Sequence, residues 1–201
     1  MHQLPDAVSA SAHFLVIDLE ATCCNQKTVP RHEMEIIEIG AVMVARESLQ
    51  TVSEFQTFIQ PVRHPRLTPF CTELTSITQN DVSTAVCFPQ ALDALINWSR
   101  EYEPFLFCSW GDYDKSQFQQ DCRYHGREYP FGKEHLNLKK QFSLTQGYPR
   151  KFGMTRALKL TGLPLVGTHH RGIDDARNMV RMLPWIVGDK VNSGRLASEA
   201  E

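Results

Sequence analysis

The order of strand and helix patterns along the chain predicts a mixed α/β sheet, three antiparallel strands followed by helix-linked strands, flanked by helices. Three observations carry this. Phe14 to Ile17 is an uninterrupted apolar run, and two β-branched-rich stretches, Met34 to Ala45 and Glu54 to Gln60, follow over short connections. Beyond residue 82 the pattern changes to helices alternating with a short buried strand. At 201 residues and 42% hydrophobic content, the chain can bury one sizeable core and is too short for two full domains.

Each element has its own signal. The apolar run of the first strand ends in Asp18 and the strand pattern in two carboxylates, the second is β-branched-rich, and the third alternates until Pro61 stops it. Residues 61–82 read as irregular and punctuated by proline. From Phe88 to Arg100, Leu92, Leu95, Ile96 and Trp98 recur with helical spacing behind Pro89, a favoured first-turn residue. Pro104 to Cys108 predicts another buried strand, 114–125 a helix, His135 to Leu138 a short strand or helix entry, and Gly153 to Leu160 a helix. A closing helix starts near Gly172, with Ala176, Met179, Val180 and Leu183 on one face. Residues 1–12 and 189–201 are expected as tails around a domain at 13–188. This is the element order of a ribonuclease H-like fold.

Bulk properties narrow the function classes. No stretch approaches the roughly 18 to 20 apolar residues of a membrane span, so no membrane partner is expected. The six cysteines hold no Cys-x-x-Cys pair, which argues against a zinc knuckle or disulfide scaffold and for reduced thiols in a cytoplasmic protein. The net charge of −2 divides unevenly, acidic through residue 114 and basic after it. Residues 122–160 carry nine Lys or Arg against Glu128 and Glu134. A nucleic acid could use that surface; so could a set of solvated helix faces.

Asp18 and Glu20 stand two apart on the first strand and so share a face, roughly 6 to 7 Å from each other. Two like charges there repel unless a proton or a metal cation sits between them. A two-metal phosphodiesterase needs about four carboxylates, so two more acids should lie at element ends. Asp112 and Asp114 follow the strand at 104–108, and Asp174 and Asp175 open the closing helix. On that helix Asp175 lies about 90° from the apolar stripe, at the core edge, while Asp174 points to water, where it can stabilise the N-terminus. His170, in the loop just before, could swing over the site and accept a proton near neutral pH.

Several ordered segments together resemble the DEDDh subfamily of DnaQ-like 3′-5′ exonucleases, in particular the branch of the three-prime histone mRNA exonuclease and the "enhanced RNA interference" exoribonucleases. They are Val16 to Cys23, His32-Glu33, Glu35-Ile36-Ile37-Glu38, Phe70 to Gln79, Trp110 to Phe118, Asn137-Leu138-Lys139 and His170 to Asn178, spanning about residues 13–187. The resemblance implies that Asp18, Glu20, Asp114 and Asp175 bind metal and that His170 is the general base. Asp114 is preferred to Asp112 because Phe118 stands four residues after it, and His170 to His169 for its four intervening residues before Asp175. It further implies that Ala21 and Thr22 contact the terminal nucleotide and that Phe70, Leu74 and Thr75 form its pocket; Trp110 is a candidate stacking surface. Oxygen ligands without thiolates favour two Mg²⁺ or Mn²⁺ per site over zinc.

The implied activity is hydrolysis of single-stranded RNA from the 3′ end to nucleoside 5′-monophosphates. A DNA 3′-5′ exonuclease used in proofreading or trimming, and an inactive nucleic-acid-binding protein, are the alternatives. No sequence feature decides the oligomeric state.

Overall fold

The computed structural model describes residues 4–26 and 28–192. Five strands, β1 (His13–Ala21), β2 (Ile36–Ala45), β3 (Thr51–Phe58), β4 (Phe105–Ser109) and β5 (Leu136–Asn137), form one sheet in the order β3-β2-β1-β4-β5. The first three are antiparallel; β4 pairs parallel to β1, and β5 parallel to β4. Central β1 is covered on both faces and is apolar almost throughout, whereas edge strand β3 alternates with an exposed face, as the two environments demand.

The residues of β1 sort onto two layers. Phe14 and Val16, with Val42 and Val44 of β2, pack against α6 (Leu138–Thr145), α7 (Met154–Leu160) and α8 (Gly172–Val187). Leu15, Ile17 and Leu19, with Ile39, Ala41 and Met43, pack against α4 (Phe88–Arg100) and α5 (Tyr113–Tyr124). Alternation therefore sends Asp18 and Glu20, and their register partners Gly40 and Glu38, to the α8 side.

Glycine permits a close backbone approach at the start of α8. A Cβ on Gly40 would lie 2.0 Å from the amide nitrogen of Ile173, and one on Gly172 would lie 2.9 Å from the carbonyl oxygen of Asp18. The start of α8 thus rests directly on the backbone of β1 and β2, and any larger side chain at either position would push it away.

The segment 61–82, expected to be irregular, instead contains α2 (Pro69–Thr75) and α3 (Gln79–Ser83). Both are too short for a periodic apolar stripe, and their caps define them: the Thr68 hydroxyl accepts from the Cys71 amide, and Thr78 and Asp81 form a reciprocal capping box. A further helical turn, α1 (Asp6–Ser9), buries Val8 within the stretch expected as an N-terminal tail. Of the expected C-terminal tail, residues 193–201 lie outside the described residues. No described helix is long and apolar enough to cross a membrane.

Candidate active site

The carboxylates predicted from separate elements meet at the end of β1. Oxygen atoms of Asp18, Glu20 and Asp175 lie within 4.8 Å of one another. Asp114 enters from the first turn of α5, where its Oδ1 accepts the Leu19 amide at 3.1 Å. Asp112 occupies the cap position before α5 but makes no side-chain cap bond, and its side chain is 74% exposed. One intervening residue, Tyr113, thus separates a buried acid, Asp114, from a solvated one, Asp112.

Burial pushes all four acids up, and repulsion between acids adds to it at Asp18 and Glu20. Asp18 lies well above the carboxylate range, through burial first and then the charges of Asp114, Glu20 and Asp175. Burial and the charges of Asp175, Glu38 and Asp114 push Glu20 up to about 9. Asp114 rises to about 6 by burial, held back by the Leu19 amide, and burial raises Asp175 against its contacts with His169 and His170. Among the described residues no cationic side chain pairs with Asp18, Glu20 or Asp114. Carboxylate oxygens short of positive charge could hold a divalent cation here.

Both histidines of the loop before α8 face this cluster. His170 adopts a left-handed φ of 63° and donates its amide to Asp175 Oδ2 at 3.0 Å. It is the neighbour, His169, whose Nδ1 lies 3.1 and 3.2 Å from the two carboxylate oxygens of Asp175. The two rings stack at 4.0 Å, so His169, set aside on spacing, is part of the site. Burial and the neighbouring His169 lower the pKa of His170 below its usual value, which favours the neutral, proton-accepting ring. Asp174 is less solvated than its helical angle implies: it accepts the Thr168 amide and pairs with Arg177, closing the loop that presents the histidines.

A cleft of about 470 Å³ opens over the acids. Of the residues expected to touch substrate, Ala21, Leu74 and Trp110 line it, and Trp110 is fixed by a bond from Nε1 to the Phe152 carbonyl. Three others do not. Thr22 Oγ1 accepts the Glu35 amide, Thr75 is buried and bonded to Cys71 and Ile77, and Phe70 borders an adjoining cavity with Cys24 and Thr28. The cleft adds Cys23, Arg31, Met34, Tyr113 and Met154, which sequence reasoning missed. Arg31 lies 4.0 Å over the Tyr113 ring and places a cation at the mouth. Tyr113, beside Asp114 in an acidic strand-to-helix turn, carried a signal; Arg31, in a loop with no periodicity, carried none.

A five-stranded sheet with a carboxylate cluster at the end of its central strand defines a nuclease domain of the ribonuclease H-like class. The crystallographic nuclease domain of 3′hExo, described as a DEDDh family member bound to rAMP, superposes with a TM-score of 0.80 at 31% identity, covering 87% of this chain and 93% of that one. The family model for Exonuclease, RNase_T, matches residues 15–183, and the chain belongs to that family. Human ERI1 exoribonuclease 3 is 35% identical over 179 residues, 85% of this chain and 52% of the relative. Human 3′-5′ exoribonuclease 1 is 30% identical over 202 residues, 92% and 58% respectively. The chain therefore spans little more than half the length of these relatives.

Proposed function

We propose that residues 13–188 form a metal-dependent 3′-5′ exonuclease that shortens single-stranded RNA, releasing nucleoside 5′-monophosphates, in the cytoplasm. The observation that carries the reading is the convergence of four acids, none paired with a Lys or Arg among the described residues, and a histidine with a lowered pKa on one cleft. Asp18, Glu20, Asp114 and Asp175 would hold two Mg²⁺ or Mn²⁺ ions, which when bound neutralise the phosphate and lower the pKa of water. His170 takes the proton of the attacking water on a ring nitrogen, and Asp175 orients the loop by accepting its amide. Trp110 and Leu74 bracket the terminal base, and Arg31 meets a phosphate at the mouth.

The RNA preference is supported by the names of the relatives, exoribonucleases, and by the rAMP in the 3′hExo domain. Exposed Arg150, Lys151, Arg156 and Lys159 surround α7, whose Met154 borders the cleft, giving the upstream strand a basic path.

The test is digestion of 5′-labelled single-stranded and duplex RNA and DNA with Mg²⁺, Mn²⁺ or EDTA, beside Asp18→Ala and His170→Ala. Stepwise shortening of single-stranded RNA, abolished by EDTA and by both substitutions, is the expected result. Preferential shortening of DNA would move the substrate assignment, and binding without cleavage would refute the enzyme.

A further inference from the structure

We infer that Glu38 of β2 is a positioning residue that seats the first turn of α8, and with it Asp175 and the histidine loop, over the metal-binding end of β1. Glu38 is fully buried, directly across from Glu20 in the antiparallel register. Its charge adds to the repulsion at Asp18 and Glu20, but its oxygens, unlike theirs, are fully occupied. Its Oε2 accepts Arg171 Nε at 3.2 Å and the Gly172 amide at 3.1 Å, and its Oε1 accepts Gln56 Nε2 at 2.6 Å.

Those partners fix α8 rather than the metal. Arg171 is the residue before α8 and makes no side-chain cap bond of its own, so the acceptor for the Gly172 amide comes from another element. A carboxylate there also complements the positive end of the helix dipole. Because Gly172 already touches the Asp18 backbone, the Glu38 bond sets both the height and the rotation of the turn. Asp175 lies three residues further on and His170 two residues before, the latter in a left-handed conformation that needs a fixed anchor. Arg171, packed over Phe58, pairs with Glu38 but leaves its charge felt at Glu20, so hydrogen exchange in the α8 turn, which charge alone would not move, reads the positioning role.

The inference uses the exonuclease reading only for one of three readouts. In Glu38→Gln, calorimetry should give Mn²⁺ binding weakened about 10- to 100-fold, the range in which groups behind metal ligands act. Hydrogen exchange should quicken at residues 170–176 and not in β1 or β2. On RNA, kcat should fall by a similar factor with KM within about threefold. Arg171→Gln, which leaves the Gly172 bond in place and changes a partly exposed side chain, should show the same pattern at a smaller amplitude. It decides the matter if Glu38→Gln does not fold. Wild-type Mn²⁺ affinity and unchanged exchange in a folded Glu38→Gln, or in Arg171→Gln if that is the only folded variant, would overturn the proposal. A wild-type protein that binds Mn²⁺ but cleaves no nucleic acid would refute the exonuclease reading and leave the binding and exchange results to judge Glu38. If the wild type binds no Mn²⁺, the exchange comparison decides alone.

Discussion

Two pairs of acids, Asp18 with Glu20 and Glu35 with Glu38, differ in what their oxygens face. Glu35 accepts three backbone amides, those of Val62, Arg63 and His64, at 2.8 to 2.9 Å, and Glu38 accepts the beginning of α8. The carboxylates of Asp18 and Glu20 accept no hydrogen bond among the described residues; they face Asp175, Asp114 and the cleft. A buried carboxylate whose lone pairs are filled by N–H groups is cemented into the fold, whereas one that faces other carboxylates is stable only with a proton or a cation. Burial alone does not separate the two groups, since Glu20 and Glu35 are 8% and 3% exposed.

The sharpest way to break this contrast is to neutralise one member of each group. Asp18→Asn should lower kcat/KM by about 10³-fold or more while raising the Tm of the metal-free protein, because it removes repulsion along with a metal ligand. Glu35→Gln should do the reverse: activity per folded molecule nearly unchanged, stability reduced by about 1–3 kcal/mol, and Tm down by several degrees. Initial rates and thermal melts with and without metal check both. Asp18→Asn that lowers Tm in EDTA would mean that Asp18 is a structural acid.

A second, slightly smaller effect separates the histidines. His170→Ala should reduce kcat by about 10²- to 10⁴-fold with Mn²⁺ binding retained, as expected of a general base. His169→Ala removes a neighbour of Asp175, and should cost about tenfold, mostly through weaker Mn²⁺ binding. If the two magnitudes are exchanged, the ring that contacts Asp175 is the base.

The contrast also explains what was legible in the sequence. Long strands and the α4, α5 and α8 helices announce themselves through the periodicity of Phe14 to Ala21, Phe88 to Arg100 and the Ala176/Met179/Val180/Leu183 stripe. Asp18, Glu20 and Asp175 followed because each stands at the end of such an element, where its face can be computed. Residues that depend on tertiary approach were hidden: the need for glycine at 40 and 172, the amides collected by Glu35, and the turn of Phe70 away from the cleft. A glycine inside a strand pattern, as at Gly40, was the one available hint of a close backbone contact. The α2 and α3 helices were missed because five- and seven-residue helices are specified by caps at Thr68 and Thr78, not by a stripe.

The pH dependence of stability sharpens the comparison further. Glu20 and Asp114 hold protons to about 9 and about 6 in the folded chain, above their ordinary values, so the folded state binds more protons than the unfolded one through this range. Stability of the metal-free protein should then fall as pH rises from about 4.5 towards 9. Mg²⁺ or Mn²⁺ replaces the protons, so the Tm gain on adding metal should grow with pH over the same window. Buried Asp121, pushed up to about 7 by burial and lying outside the cleft, has the same sign but should not respond to metal. Asp121→Asn should therefore flatten part of the EDTA profile and leave the metal-induced gain intact.

The smallest effect tests whether position in the helix, rather than charge at this turn, selects the ligand. Asp112 and Asp114 both carry a negative charge at the start of α5, where the helix dipole favours either. Only Asp114 is buried and tied to the Leu19 amide; the Asp112 carboxylate is mostly solvated and lies 3.8 Å from His135 Nδ1. A charge so exposed to water is weakly felt by the site, so Asp112→Asn should change kcat/KM by less than about twofold and Tm by about a degree. Asp114→Asn, by contrast, should approach the loss seen with Asp18→Asn. Equal losses from the two substitutions would mean that the turn supplies its charge collectively, and that the burial of Asp114 is a consequence of packing by Phe118 rather than the mark of a ligand.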